Sequence, residues 1–321
     1  MNTIPTTSKK IRIPYTVVGG KKVDKQQRTP SVLSLCILNR GGRLYRKDFF
    51  EEIQHMGNLE TISVEGPGPG YDQEQLVRKY PNLRFLNVHS KISQGEKVNI
   101  GIEEAHGKYI FIIWDDVKLL TSTLSTRFID KLQEEDHLCT VPLISNSSGE
   151  PVPSIMSPAF HRNKLKVLPF RCEKENTSSL FPFDYIGIYS KERFTKAGGY
   201  DYSIEHPYWQ KMDFGFRVHM WGEKIICNGS LRLGYEGEVP AEDTTPNEEY
   251  KRFFLKNLSV RFVNDRGILP FSVFLPYWFK AGSGIIGSWK EFKAVKEWVN
   301  LNAFRFQRDA RGVTELWEIP E

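Results

Sequence analysis

Residues 94–117, QGEKVNIGIEEAHGKYIFIIWDDV, constrain the fold more than any other part of the chain. Val98, Ile102 and Ala105 fall at i, i+4 and i+7, which predicts a short amphipathic helix. Gly107 stands where a helix stop is expected. Tyr109 to Ile113 has no polar face, the pattern of a strand covered on both sides in a parallel sheet. Asp115 and Asp116 then lie just past the strand's C-terminal end, where open α/β sheets bind ligands. An isolated Asp-Asp also reads as a helix N-cap and a solvated acid. The strand-end position points instead to a hard divalent cation, held through oxygen and holding a diphosphate.

The rest of the chain supports an α/β reading. Ser31–Leu38 predicts a second buried strand, closing on Asn39, Arg40 and a Gly41-Gly42 turn. A helix over 44–56 and a strand over 61–65 follow, ending at Glu65 and a Gly-Pro loop, 66–70. Asp72–Lys79 and Arg84–His89 make a further helix and strand. After Asp116, Leu124, Phe128 and Leu132 mark a helix, and His137–Ile144 another strand. Ser154–Arg171 shows no clean period and reads as a loop-rich insertion. A strand over 184–189 and a helix over 191–197 lead to Gly198-Gly199-Tyr200-Asp201. Residues 224–228 and 231–236 predict a hairpin around Gly229. The C-terminal part predicts a long helix over 248–263 and another over 288–301, with Trp278, Phe279, Ile285 and Ile286 around a Gly-rich link.

Composition narrows the function classes. Forty per cent hydrophobic and 13% aromatic residues are ample for a large core. A net charge of +5 suits anionic substrates or a lipid surface, and no basic run with interleaved aromatics points to nucleic acid. Cys36, Cys139, Cys172 and Cys227 form no CxxC, so buried free thiols are expected rather than disulfides or zinc. The first ten residues have no apolar core of a secretory signal. The apolar stretch 268–279 is too short to span a bilayer and holds Pro270 and Pro276. The expectation is a cytoplasmic protein, at most peripheral to a membrane. Three segments are expected: a basic arm over 1–29, an α/β domain over 30–240 and a C-terminal helical extension over 241–321.

The pattern G-x-x-x-N-x-G-I-x-x-A-x-G-x-Y-I-x-x-x-x-D-D, from Gly95 to Asp116, resembles the centre of family 2 glycosyltransferases, which have the GT-A fold. SKERFTKAGGYD, residues 190–201, is similar to the family's segment before the acceptor site. The fold implied is a Rossmann-like mixed sheet flanked by helices. The activity implied is transfer of a sugar from a nucleoside-diphosphate sugar to an acceptor hydroxyl of a glycan or glycolipid, inverting and assisted by Mg²⁺ or Mn²⁺. The resemblance assigns the donor site to Asn39, Arg40, Glu65, Gln94, Lys97, Asn99 and Asp115, and the metal to Asp116. Where many members have a metal-binding His, this chain offers Glu236, a ligand of the type Mg²⁺ prefers.

The chain departs from the family in four further places. Trp114 stands where Asp or Asn is usual, Glu65 where Asp is usual, and the Gly-Pro loop replaces a polar segment. The family's catalytic acid pair falls on Gln210-Lys211, and a lysine is a poor base at neutral pH. Asp213, three residues on, is the candidate base, with Glu205 or Asp184 from neighbouring loops as alternatives. A dipole-favoured helix-start acid accounts for Asp213 equally well. The rival functions are a non-catalytic nucleotide-sugar binder or scaffold, and a nucleotidyltransferase.

Overall fold

The computed structural model describes residues 13–20, 32–41, 46–54, 59–68, 70–120, 124–162, 164–172, 175–281 and 284–318. Most of the basic arm, Gly42 and part of the helix expected over 44–56 lie outside the described residues.

The elements run in chain order as follows. The first half contains β1 (Tyr15–Gly19), β2 (Leu33–Leu38), α1 (Lys47–Gln54), β3 (Glu60–Glu65), α2 (Gln73–Lys79) and β4 (Leu83–Val88). Next come α3 (Gln94–Glu104), β5 (Tyr109–Trp114), β6 (Val117–Leu119), α4 (Thr126–Glu135) and β7 (Cys139–Ser145). A side hairpin, β8 (Ile155–His161) and β9 (Lys164–Phe170), precedes β10 (Gly187–Ser190), α5 (Lys191–Ala197), α6 (Pro207–Met220) and β11 (Ile225–Tyr235). The chain ends with α7 (Glu248–Phe253), β12 (Arg261–Val263), β13 (Arg266–Ile268), α8 (Phe274–Ala281), α9 (Gly284–Leu301) and α10 (Ala310–Glu315).

β2 and β5 are buried at every residue because they lie side by side in the middle of one mixed sheet. The sheet order is β1-β4-β3-β2-β5-β10-β7-β11-β6. β4, β3, β2 and β5 run parallel, so the C-terminal ends of β2, β3 and β5 open on one edge. β10 then runs antiparallel to both β5 and β7. α3 lies against this sheet through Gly101: a Cβ there would sit 2.3 Å from the Cys36 Sγ. Its start is fixed by a capping box, in which Ser93 Oγ accepts from the Glu96 N–H and Glu96 accepts from the Ser93 N–H.

Four elements differ from the sequence reading. Residues 155–170 form a hairpin rather than a loop; Ser157, Pro158 and Pro169 interrupt the alternation that would have marked it. Residues 225–235 are one strand with a bulge between Asn228 and Arg232, because Gly229-Ser230 kinks the strand instead of reversing it. The helix expected over 248–263 stops early. Its second part widens over Phe254–Leu258, where the Ser259 N–H bonds the Phe254 carbonyl, and this turn brings Lys256 and Asn257 inward. The chain then forms the β12–β13 hairpin, whose turn residues Asn264 and Asp265 both have positive φ. Finally, the strand expected from 184 begins only at Gly187. Asp184 and Tyr185 are left-handed, at φ 50° and 64°.

The C-terminal elements share the sheet's core. Phe253, Leu255, Val299 and Phe306 belong to the same apolar cluster as β2 and β5, and Trp221 stacks on Trp298 at 5.9 Å. The division at residue 240 is therefore one of sequence and not of packing.

Candidate functional site

The three parallel strand ends bring together Asn39-Arg40, Glu65 and Asp115-Asp116. A cleft of about 390 Å³ opens beside them, lined by Asn39, Arg40, Pro67, Ile92, Lys97 and Trp114 among others. Gln94, at the first turn of α3, also lines it.

Three cations line this cleft: Arg40, Lys97 and the exposed Lys91. The Arg40 guanidinium lies 3.9 Å over the Trp114 ring. Its Nε donates to Asp116 Oδ2 at 2.8 Å and its Nη2 donates to Asp184. Burial opposes the charge on Arg40, but Asp184 and Asp116 outweigh it and hold its pKa above the ordinary value. Lys97 Nζ donates to the Asn39 carbonyl at 2.7 Å, and burial lowers its pKa. The positive end of α3 points the same way, since Gln94 and Lys97 lie in its first turn.

The acids are held from behind. Asp115 Oδ1 accepts the Arg40 N–H at 3.1 Å, while its Oδ2 is buried without a hydrogen-bond partner. Burial pushes this carboxyl above its usual range. Asp116 Oδ1 is likewise buried and unpartnered. Asp184 accepts from Arg40 and from the Tyr235 hydroxyl at 2.7 Å, and its carbonyl accepts the Trp114 indole N–H at 2.8 Å. Burial raises Asp184 in spite of Arg40 and Lys211. Two consecutive left-handed residues without glycine are costly backbone, of the order of 1 kcal/mol or more each. Here they place one carboxylate under Arg40. Glu65 is enclosed too: it accepts from Asn39 (2.6 Å), Arg46 (2.6 Å) and Ser63 (2.5 Å). It therefore orients Asn39.

Several residues assigned by the resemblance stand elsewhere. Asn99 does not face the cleft. Its amide bonds the Tyr200 N–H and carbonyl, at 2.9 and 2.8 Å, and ties α3 to the 198–201 turn. Gln210 is fully buried and uses its whole amide. Its Oε1 accepts from the Gly95 N–H and the Tyr185 hydroxyl, and its Nε2 donates to Ser93 Oγ and the Asp201 carbonyl. A carboxylate could not donate these bonds, which explains glutamine there. Asp213 has 0% exposure and is closed off by Asn257 (2.8 Å), Lys256 (2.9 Å) and Arg217 (3.3 Å). This geometry corrects the assignment of Asp213 as base: no edge is open to an acceptor hydroxyl. It is a structural cross-link between α6 and the 254–258 turn.

The metal expectation meets a similar obstacle. The Glu236 N–H bonds the Asp116 carbonyl at 3.0 Å, which brings the two assigned ligands close in the chain path. The Glu236 carboxylate, however, lies 3.2 Å from Lys118 Nζ, and Asp116 carries Arg40. Among the described residues, no three His, Cys, Asp or Glu side chains converge as a metal cage. The residues fit a guanidinium between Asp116 and Asp184 better than a divalent ion.

The sequence reading did not single out Tyr235 as a partner of Asp184, nor Glu242. Glu242 comes from the 236–247 loop and pairs with Lys211, which lies among the rings of Phe181, Phe183 and Tyr185. The one signal for this rearrangement was the lysine where the family has an acid.

No protein-family profile matches the sequence, and no curated protein matches it. Solved structures do. A crystal structure of GalNAc-T7 with UDP, GalNAc and Mn²⁺ superposes with a TM-score of 0.60 at 14% identity, over 91% of this chain and 59% of that one. The chain thus spans less than two thirds of that protein's length. Staphylococcus aureus TarS superposes with a TM-score of 0.49 at 11% identity, over 84% of this chain and 43% of that one. The fold is that of the GT-A glycosyltransferases, a mixed sheet flanked by helices. The likeness extends to the fold and does not single out family 2.

Proposed function

We propose that the chain binds a nucleoside-diphosphate sugar at the ends of β2, β3 and β5 and transfers the sugar to a glycan or glycolipid hydroxyl. The observation that carries this reading is the pair of cations, Arg40 and Lys97, beside Trp114 in a cleft at the strand ends of a GT-A fold. The base and ribose lie along the wall of Asn39, Pro67 and Ile92. The diphosphate lies toward Lys97, Arg40 and the start of α3.

In the transfer step the acceptor oxygen bonds to the anomeric carbon as the bond to the diphosphate oxygen breaks, with inversion. The electron pair leaves with the diphosphate, whose charge meets Arg40 and Lys97. The hydroxyl proton goes to Glu242, a carboxylate paired with Lys211 of the Gln210-Lys211 pair. Asp116 pairs with Arg40 and Glu236 with Lys118, so the chain's own cations meet the leaving charge in this step.

A second reading, a nucleotide-sugar binder without transfer, is favoured by the engagement of Gln210, Lys211 and Asp213 in structural contacts. Transfer and hydrolysis assays with UDP-, GDP- and dTDP-sugars separate the two. Glu242→Gln should bind the donor like wild type and lose about a hundredfold or more in kcat. Tight donor binding by wild type with no turnover of any of these sugars would establish the binder instead.

A further inference from the structure

α8 and α9 bury one side and leave an apolar side bare. Tyr277, Phe292, Val295 and Val299 face the core, and Arg252 pairs with Glu291 to hold the start of α9 against α7. On the other side, Phe271, Leu275 and Phe279 recur every four residues through the 271–273 turn and α8, and Ile285, Ile286 and Trp289 continue on α9. Their exposures run from 42% for Trp289 to 73% for Phe279. The two sets adjoin, since the rings of Phe271 and Phe274 meet Trp289 at 5.9 and 5.1 Å. Such a patch on a well-anchored element calls for a covering partner.

We propose that this face rests in the headgroup region of an anionic lipid surface. α9 carries Lys290, Lys293 and Lys296 against Glu291 and Glu297, and the charge of Glu291 is matched by Arg252. Tryptophan and phenylalanine beside lysines form the chemistry of a membrane interface. A second copy on the same face would set these lysines against each other, whereas anionic headgroups neutralise them. Insertion is shallow, since among the described residues no helix is long and apolar enough to cross a membrane. This inference does not depend on nucleotide binding.

Flotation of the full chain with vesicles of phosphatidylcholine, with and without phosphatidylglycerol, tests it, alongside light scattering of the protein without lipid. The proposal expects a monomer that floats with the phosphatidylglycerol vesicles. The double variant Phe279→Ser/Ile286→Ser should lose about tenfold or more in partitioning at unchanged thermal stability. Lys290→Glu/Lys293→Glu should lose a similar factor with anionic vesicles. Failure of wild type to float overturns it, as does flotation unaffected by both double variants. A wild-type dimer that Phe279→Ser/Ile286→Ser converts to monomer would assign the face to a second copy and also overturn it.

Discussion

Asp213→Asn separates a catalytic role from a structural one, and its cost follows from the buried charges around it. Lys256 lies 2.7 Å from Asp201 and 2.9 Å from Asp213, Arg217 lies 3.3 Å from Asp213, and Arg252 approaches Asp201 to 3.7 Å. Lys256 and Arg217 thus depend on Asp213 in a water-poor site, while Arg252 also has Glu291. The asparagine keeps a neutral acceptor for Lys256, which retains Asp201, but leaves the buried Arg217 without a carboxylate. Breaking a buried pair costs about 3–5 kcal/mol. We take the lower end, about 3 kcal/mol, because Lys256 retains Asp201. For a chain of this size that lowers Tm by about 4–5 °C. Thermal unfolding followed by circular dichroism measures the loss, and calorimetric titration of the nucleotide, well below both midpoints, measures binding. The expected result is the lowered Tm with donor affinity and kcat within about twofold of wild type. A Tm within a degree or two of wild type, together with abolished turnover, would refute the reasoning and restore Asp213 as the base.

Gln210→Glu, which recreates an acid at the resemblance's catalytic pair, should destabilise the fold by about 2–4 kcal/mol. It sets a charge against the Asp201 carbonyl that now accepts a hydrogen bond, and a Tm equal to wild type would contradict this. His219, whose Nε2 lies 3.0 Å from the Ser179 carbonyl, has its pKa pushed down to about 4 by burial. Its folded pKa lies below the unfolded value of 6.5, so the unfolded chain binds the extra proton between these values. Its contribution is complete above pH 6.5 and is lost as pH falls toward 4, up to about 3 kcal/mol. His219→Gln should flatten the decline of Tm between pH 6.5 and 5; an unchanged slope would rule His219 out as its source.

The centre of the fold was legible because burial there leaves a one-dimensional trace. β2 and β5 are apolar at nearly every position, and a strand ending in two acids has few alternatives in an α/β sheet. Asn39, Arg40 and Asp115 sit at strand ends, which sequence patterns mark, whereas Gln94 and Lys97, at a helix start, are singled out only by the resemblance. The remainder depends on pairings distant in sequence. Arg40 meets Asp184 across 144 residues, and Lys211 meets Glu242 from a loop without periodicity. Asn99 and Asp213 carried the family's residue types, but their partners, Tyr200 and Lys256, decide what those types do here. The widened 254–258 turn leaves no mark on an i, i+4 pattern, so a straight helix was read through it.

The most direct test of the account is calorimetric titration of UDP, GDP and dTDP sugars into wild type and Arg40→Ala, once in EDTA and once in Mn²⁺. The account predicts that one of these nucleotides binds wild type with a Kd that differs by less than about twofold between EDTA and Mn²⁺. Arg40→Ala should weaken it about tenfold or more, the value of a charge-assisted contact to phosphate. Binding that requires Mn²⁺ and survives Arg40→Ala would contradict the role given to Arg40, and absence of binding to all three would contradict the donor site itself.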